Sequence, residues 1–141
     1  MSNPTIKVKT PIGLTLPIQN SGIGFFQQTF DTFNATKTNI INLLRTKPGE
    51  RRMQPLFGCR LYNAMFEQNT EIIPEYIKNI IKEDISNWIP NVVVNKVDVK
   101  FYHNEEVDNI DIYKTYVAIT FTVNVLNKTD TIEMIIDSNK V

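Results

Sequence analysis

Ile73-Pro74-Glu75-Tyr76-Ile77-Lys78-Asn79-Ile80-Ile81-Lys82-Glu83-Asp84-Ile85-Ser86-Asn87-Trp88-Ile89-Pro90-Asn91-Val92-Val93-Val94-Asn95-Lys96-Val97-Asp98-Val99-Lys100-Phe101 is the stretch in which the apolar period changes. Up to Trp88 the apolar residues Ile73, Ile77, Ile80, Ile81, Ile85 and Trp88 recur at spacings of three and four, the stripe of an amphipathic helix. Glu75, Lys78, Lys82 and Glu83 fall on its other side. Pro74 suits a first turn, where its missing N–H costs nothing, and Thr70 or Glu71 can cap the start. Pro90 stops the helix, because the residue before a proline avoids the helical region. Beyond it the period is two: Val93, Val97, Val99 and Phe101 alternate with Lys96, Asp98 and Lys100.

Downstream the alternation continues. Val117, Ile119, Phe121, Val123 and Val125 alternate with Tyr116, Ala118, Thr120, Thr122 and Asn124; Ile132, Met134 and Ile136 alternate with Thr131, Glu133 and Ile135. These are three half-buried strands of an antiparallel meander. An acidic loop from Asn104 to Asp111 joins the first two, and Leu126 to Asp130 turns the second into the third. Upstream, Phe26, Phe30, Phe33, Lys37, Ile40 and Leu44 keep heptad spacing from Phe25 to Arg45, with Asn34 a suitable cap for the firmer part. Ile40, Ile41 and Leu44 read as core. Phe26, Phe30 and Phe33, beside the N-terminal segment, read as a partner surface. Lys47-Pro48-Gly49-Glu50 has the composition of a type II turn, and Leu61, Tyr62, Met65 and Phe66 fall on one face of a short helix. Helices first and strands later define an α+β domain, with N-terminal helices packed on a small three-stranded antiparallel sheet. Residues 1–24 carry Pro4, Pro11, Pro17, Gly13, Gly22 and Gly24, so residues 1–33 read as an extended arm, or a disordered tail, plus the start of a helix. Residues 34–141 form a single domain.

Composition narrows the function. The 141 residues carry 15 basic and 15 acidic side chains, for a formal net charge of zero. That gives no electrostatic reason to expect nucleic acid or an anionic membrane as partner. No apolar run approaches the ~18 residues of a membrane span, and Met1-Ser2-Asn3-Pro4-Thr5 does not open like a signal peptide. The single cysteine, Cys59, cannot form an internal disulfide and suits a reducing cytoplasm. It reads as a small packing residue. His103, the one histidine, has no nucleophile placed beside it by any motif. Glu105, Glu106, Asp108 and Asp111 lack the calcium-loop pattern and read as a solvated loop. A glycosidase pair could be assembled only from Glu67, Glu71 and Glu75, and nothing distinguishes an acid from a base among them. No catalytic group, metal site or cofactor is expected.

One stretch is dense in specific chemistry: Leu43-Leu44-Arg45-Thr46-Lys47-Pro48-Gly49-Glu50-Arg51-Arg52-Met53-Gln54-Pro55-Leu56-Phe57-Gly58-Cys59. Pro55 can fix a bend, Phe57 can anchor it in the core, and Gly58 can adopt a conformation barred to other residues. Arg51 can act as an internal latch or as an interface contact. The stretch resembles the signature of the phage protein W family: a leucine-rich helix end, then Gly49, Arg51, Pro55, Phe57, Gly58 and Cys59 at fixed spacing. The resemblance runs from about Asn34 to the end of the chain. One departure is Ile89-Pro90-Asn91, where family members often carry Glu-Pro-Arg; any role tied to that charge pair is not transferred.

The resemblance implies a structural, non-enzymatic wedge subunit in the tail baseplate of a contractile phage, made in the host cytoplasm. It implies six copies per baseplate, contacts with a helical bundle of other wedge proteins around the central hub or tube, and initiation of the tail sheath by strand addition. Phe26, Phe30 and Phe33 would face the bundle, and Thr131, Glu133 and Ile135 the sheath protein. Two other classes share the resemblance: a peptidoglycan-cleaving, lysozyme-like tail protein, and an adaptor of a type VI secretion baseplate.

Overall fold

The computed structural model describes residues 10–16, 18–19, 26–65, 72–104 and 112–137. The elements in chain order are β1 (Gly13–Leu14), β2 (Gln28–Thr29), α1 (Thr32–Arg45), α2 (Leu61–Met65), α3 (Ile73–Trp88), β3 (Val92–Asn104), β4 (Ile112–Val123) and β5 (Lys128–Asp137). β3, β4 and β5 form one antiparallel sheet with β4 in the centre. The expected α+β architecture is the observed one. α3 lies along β3, and α1 reaches the start of β5.

The core fills the space between the helices and one sheet face. Ile40, Leu43 and Leu44 enter it from α1, Leu61 and Ala64 from α2, and Ile77, Ile81 and Ile85 from α3. Val117, Ile119, Phe121 and Val123 meet them from β4, and Ile132, Met134 and Ile136 from β5. Each large aliphatic side chain withdrawn from water contributes roughly 1.5–3 kcal/mol. The opposite sheet face is polar and rich in threonine. Thr120 and Thr131 sit Oγ1 to Oγ1 at 3.2 Å, Thr122 and Thr129 at 2.8 Å, and Asn95 Nδ2 donates to Thr122 Oγ1.

Five local expectations are corrected. Val93 does not face the core: it is 47% exposed, whereas Val92 is buried and Val94 packs against the core. The cause is a register shift between Val94 and Lys96. Asn95 is an extra residue there, and such a bulge reverses which parity faces inward. Val125 is likewise outside the sheet and exposed. The turn between β4 and β5 spans 124–127, not Leu126 to Asp130: the Leu126 N–H donates to Val123 O, and Asn127 takes φ 47°, a left-handed conformation that asparagine tolerates better than most residues. α1 starts at Thr32 behind Asp31, not at Phe25 and not behind Asn34. The arm also contains a regular element: Gly13 pairs with Thr29 and Leu14 with Gln28. The suggested caps Thr70 and Glu71 lie outside the described residues, as does the acidic loop apart from Asn104.

Candidate assembly surfaces

The loop between α1 and α2 is held by backbone geometry. α1 closes at Thr46, whose N–H and Oγ1 both donate to Asn42 O. Glu50 N–H then donates to Lys47 O, and Gly49 has φ +95°, the type II turn expected there. Gly49 N–H donates to Pro55 O at 2.7 Å, and Cys59 N–H to Thr46 O at 2.9 Å, so the loop is tied across its neck. Gly58 sits in that neck at φ +139°. A Cβ there would stand 2.7 Å from Lys47 C, Pro48 N and Thr46 O. Only glycine fits, on both conformational and steric grounds.

The other motif residues separate into two groups. Phe57 is half-buried and meets Trp88 of α3 edge-on, ring centroids 5.1 Å apart. Arg51 places its guanidinium 3.9 Å from the centre of the Phe57 ring; the contact is internal, a cation on an aromatic face. Cys59 is fully buried, and burial pushes its thiol up to about 12. It stays protonated at neutral pH, as a packing residue does. Pro55 is exposed at the outer end of the loop. So are Met53 and Leu56, at 98% and 81%.

One tie in this region escaped the sequence reading. Asp84 of α3 is buried, and its carboxylate accepts the Arg60 backbone N–H (3.0 Å), Nε (3.1 Å) and a terminal guanidinium nitrogen (2.9 Å). Glu83 accepts from the same guanidinium at 2.9 Å. A signal was available: Asp84 lies three and four residues after Ile81 and Ile80, on the apolar stripe of α3. A carboxylate in that position needs a partner.

The three phenylalanines do not share a surface. Phe26 and Phe30 precede α1 and are 53% and 42% exposed. Phe33, expected to face a partner, is buried. Its ring stacks on Phe121 at 6.1 Å, and Lys128 Nζ lies 4.6 Å from its centre. Heptad spacing cannot tell a helix face that meets its own sheet from one that meets another chain, and here the sheet takes it.

Thr131, Glu133 and Ile135 lie as expected on the solvent face of β5. Their backbone direction follows from the pairing. Just beyond the Val92–Val123 pair, Asn124 N–H donates to Asn91 O, so even-numbered residues of β4 bond to β3 and odd-numbered ones to β5. Thr131, Glu133 and Ile135 stand opposite Thr120, Ala118 and Tyr116. Their own N–H groups therefore point away from β4. Thr131 N–H accordingly reaches the Asp130 carboxylate, at 2.8 Å.

Catalytic geometry is not assembled among the described residues. Glu75 is exposed and pairs with Lys78 at 3.3 Å; Glu67 and Glu71 lie outside the described residues. No group of three His, Cys, Asp or Glu could hold a metal ion among the described residues. No described helix is long and apolar enough to cross a membrane.

A helical layer on a small antiparallel sheet, with a cross-tied motif loop and an outer strand free of register shifts, makes a single α+β unit with no assembled catalytic or metal geometry among the described residues. The chain belongs to the baseplate wedge protein family: the family model "Baseplate wedge protein gp25" matches residues 31–128. The baseplate wedge protein gp25 of Enterobacteria phage T4 is 27% identical over 99 residues, covering 70% of this chain and 68% of that protein. Two solved structures share the fold at 22% identity. A putative tail lysozyme from Geobacter sulfurreducens has a TM-score of 0.60, covering 75% of this chain and 90% of that one. A chain of the anti-feeding prophage baseplate has a TM-score of 0.58, covering 79% and 83%.

Proposed function

We propose that this protein is a non-enzymatic wedge subunit of a contractile phage-tail baseplate that starts the tail sheath by accepting a sheath-protein strand on β5. Six copies surround the central hub or tube, joined to other wedge proteins through a helical bundle that Phe26 and Phe30 face. The observation that carries the sheath reading is the outer side of β5. Three N–H groups, those of Thr131, Glu133 and Ile135, point outward from an edge without register shift, and Ile135 beside them is 66% exposed. Added strands bind through such backbone groups, and the alternation of side chains sets their register. Ten residues at roughly 3.3 Å each give a docking edge of ~33 Å.

Glu133→Pro tests this. It removes one outward donor from an edge strand, where proline is tolerated. The melting temperature should fall by at most about 5 °C, while electron microscopy shows tails without sheath. Normally sheathed tails built with the folded variant would exclude β5 and leave β3 as the docking edge.

A further inference from the structure

The segment from Phe26 to Asp31 is extended in this chain, yet its sequence continues the helix that follows it. At 3.6 residues per turn, Phe26, Phe30, Phe33, Lys37, Ile40 and Leu44 point within about 40° of one direction. No proline or glycine interrupts Phe26 to Arg45. The extended form is also weakly held. Among the described residues β2 makes two residue pairs with β1, and three further backbone bonds, Ile12 to Thr29, Thr15 to Gln27 and Gln27 to Gln19, hold the segment. Thr29 Oγ1 is buried with no hydrogen-bond partner among the described residues, which costs stability. Asp31 provides no side-chain hydrogen bond to the start of α1, so the N–H groups of the first turn lack the usual cap. Phe26 and Phe30 stay largely in water.

We propose that residues 26–31 are a convertible segment, extended against β1 in the isolated chain and helical, continuous with α1, when an amphipathic partner helix covers Phe26 and Phe30. The heptad spacing selects a helix as the occupant, because apolar residues at alternating threes and fours make the seam of a helix pair. Six added residues lengthen α1 by about 9 Å. α1 meets the sheet at Phe121, Lys128 and Asp130, so the added turns pass the neighbouring β4–β5 turn. Val125 and Leu126 are exposed there, at 74% and 48%, and the partner helix covers them together with the two phenylalanines. The conversion releases the buried Thr29 hydroxyl and turns the uncapped start of α1 into helix interior.

The inference rests on the bundle reading above, and two sets of variants separate their failures. Phe26→Asp with Phe30→Asp tests whether this surface joins the bundle at all; complete baseplates from that double variant would remove the bundle contact itself. Thr32→Pro tests the conversion. Thr32 is the first residue of α1, behind extended Asp31, a position that tolerates proline because its N–H has no partner within the helix. In a helix continuous from Phe26 the same residue lies past the first turn, where proline removes a hydrogen bond and its ring clashes with the Gln28 carbonyl. The melting temperature should be unchanged, and baseplate assembly scored by electron microscopy should fall on the order of a hundredfold, while Thr32→Ala assembles normally. A reversible lock gives the same reading without proline. Leu14→Cys with Gln28→Cys, facing each other across the pair, should assemble when reduced and fail when oxidised. Normal assembly of Thr32→Pro, or of the oxidised lock, overturns the conversion even where the aspartate variants fail.

Discussion

β3 and β5 flank the same central strand, yet they present opposite edges. β3 carries a bulge at Asn95, and Lys96 and Asp98 pair along it at 2.8 Å. α3 lies against it, and its outward backbone groups belong to residues such as Val97 and Val99, whose side chains turn toward the helices. β5 has no bulge. Its outward groups belong to Thr131, Glu133 and Ile135, whose side chains face water. Bulges and charges are the means by which natural sheets discourage strand pairing at an edge. β3 carries both devices; β5 carries charges, at Lys128, Asp130 and Glu133, but no bulge. On the proposed reading, the sheet offers direction as well as affinity: an incoming sheath strand adds on the side of β5.

The strongest way to break the contrast is to remove what both edges share. Phe121 in β4 is fully buried and stacks on Phe33. Phe121→Ala should cost about 3–5 kcal/mol in urea unfolding and abolish sheath formation with the fold. Deleting Asn95 should instead sharpen the contrast by erasing it. Val92 and Val94 then continue one alternation with Val97, so the domain stays folded within about 2 kcal/mol, while the repaired β3 edge gains the capacity to pair. Sedimentation should show concentration-dependent self-association that the parent chain lacks. A monomeric deletion variant would show that α3, rather than the bulge, guards that edge.

The smallest effect belongs to the start of β5, where Lys37 of α1 pairs with Asp130 at 2.6 Å. The Lys37 hydrogen bond holds the Asp130 carboxyl below its ordinary value of 3.8. A lowered carboxylate stabilises the fold at pH values above the unfolded value, and that contribution fades as pH falls through the folded one. Both side chains are about a third exposed, so water screens the pair. Lys37→Met should cost under about 1 kcal/mol at pH 7. The gap between variant and parent melting temperatures should close as the pH is taken below that range.

What could be read from sequence follows the same division. β5 was legible because its alternation is uninterrupted, and α3 because Pro74 and Pro90 bracket a continuous apolar stripe. The inward set of β3 was not, because a bulge is a property of the pair: Asn95 is extra only relative to β4. Lys37 looked like a flaw in a heptad until Asp130, distant in sequence, supplied its partner. Phe33 and the two phenylalanines before it carry one spacing and have different fates, since spacing records which residues share a face and not what covers it.

The loop that ends in Gly58 has a mechanical consequence. Its neck is cross-tied at Thr46 and Cys59, its aromatic anchor rests on Trp88, and the next residue, Arg60, is fastened to Asp84 by backbone and side chain together. Met53 and Leu56 are the exposed apolar residues of this braced loop. Through Arg60 and Asp84 the loop is continuous with α3, and α3 packs on β3, so one unbroken path of contacts runs from the loop to the sheet.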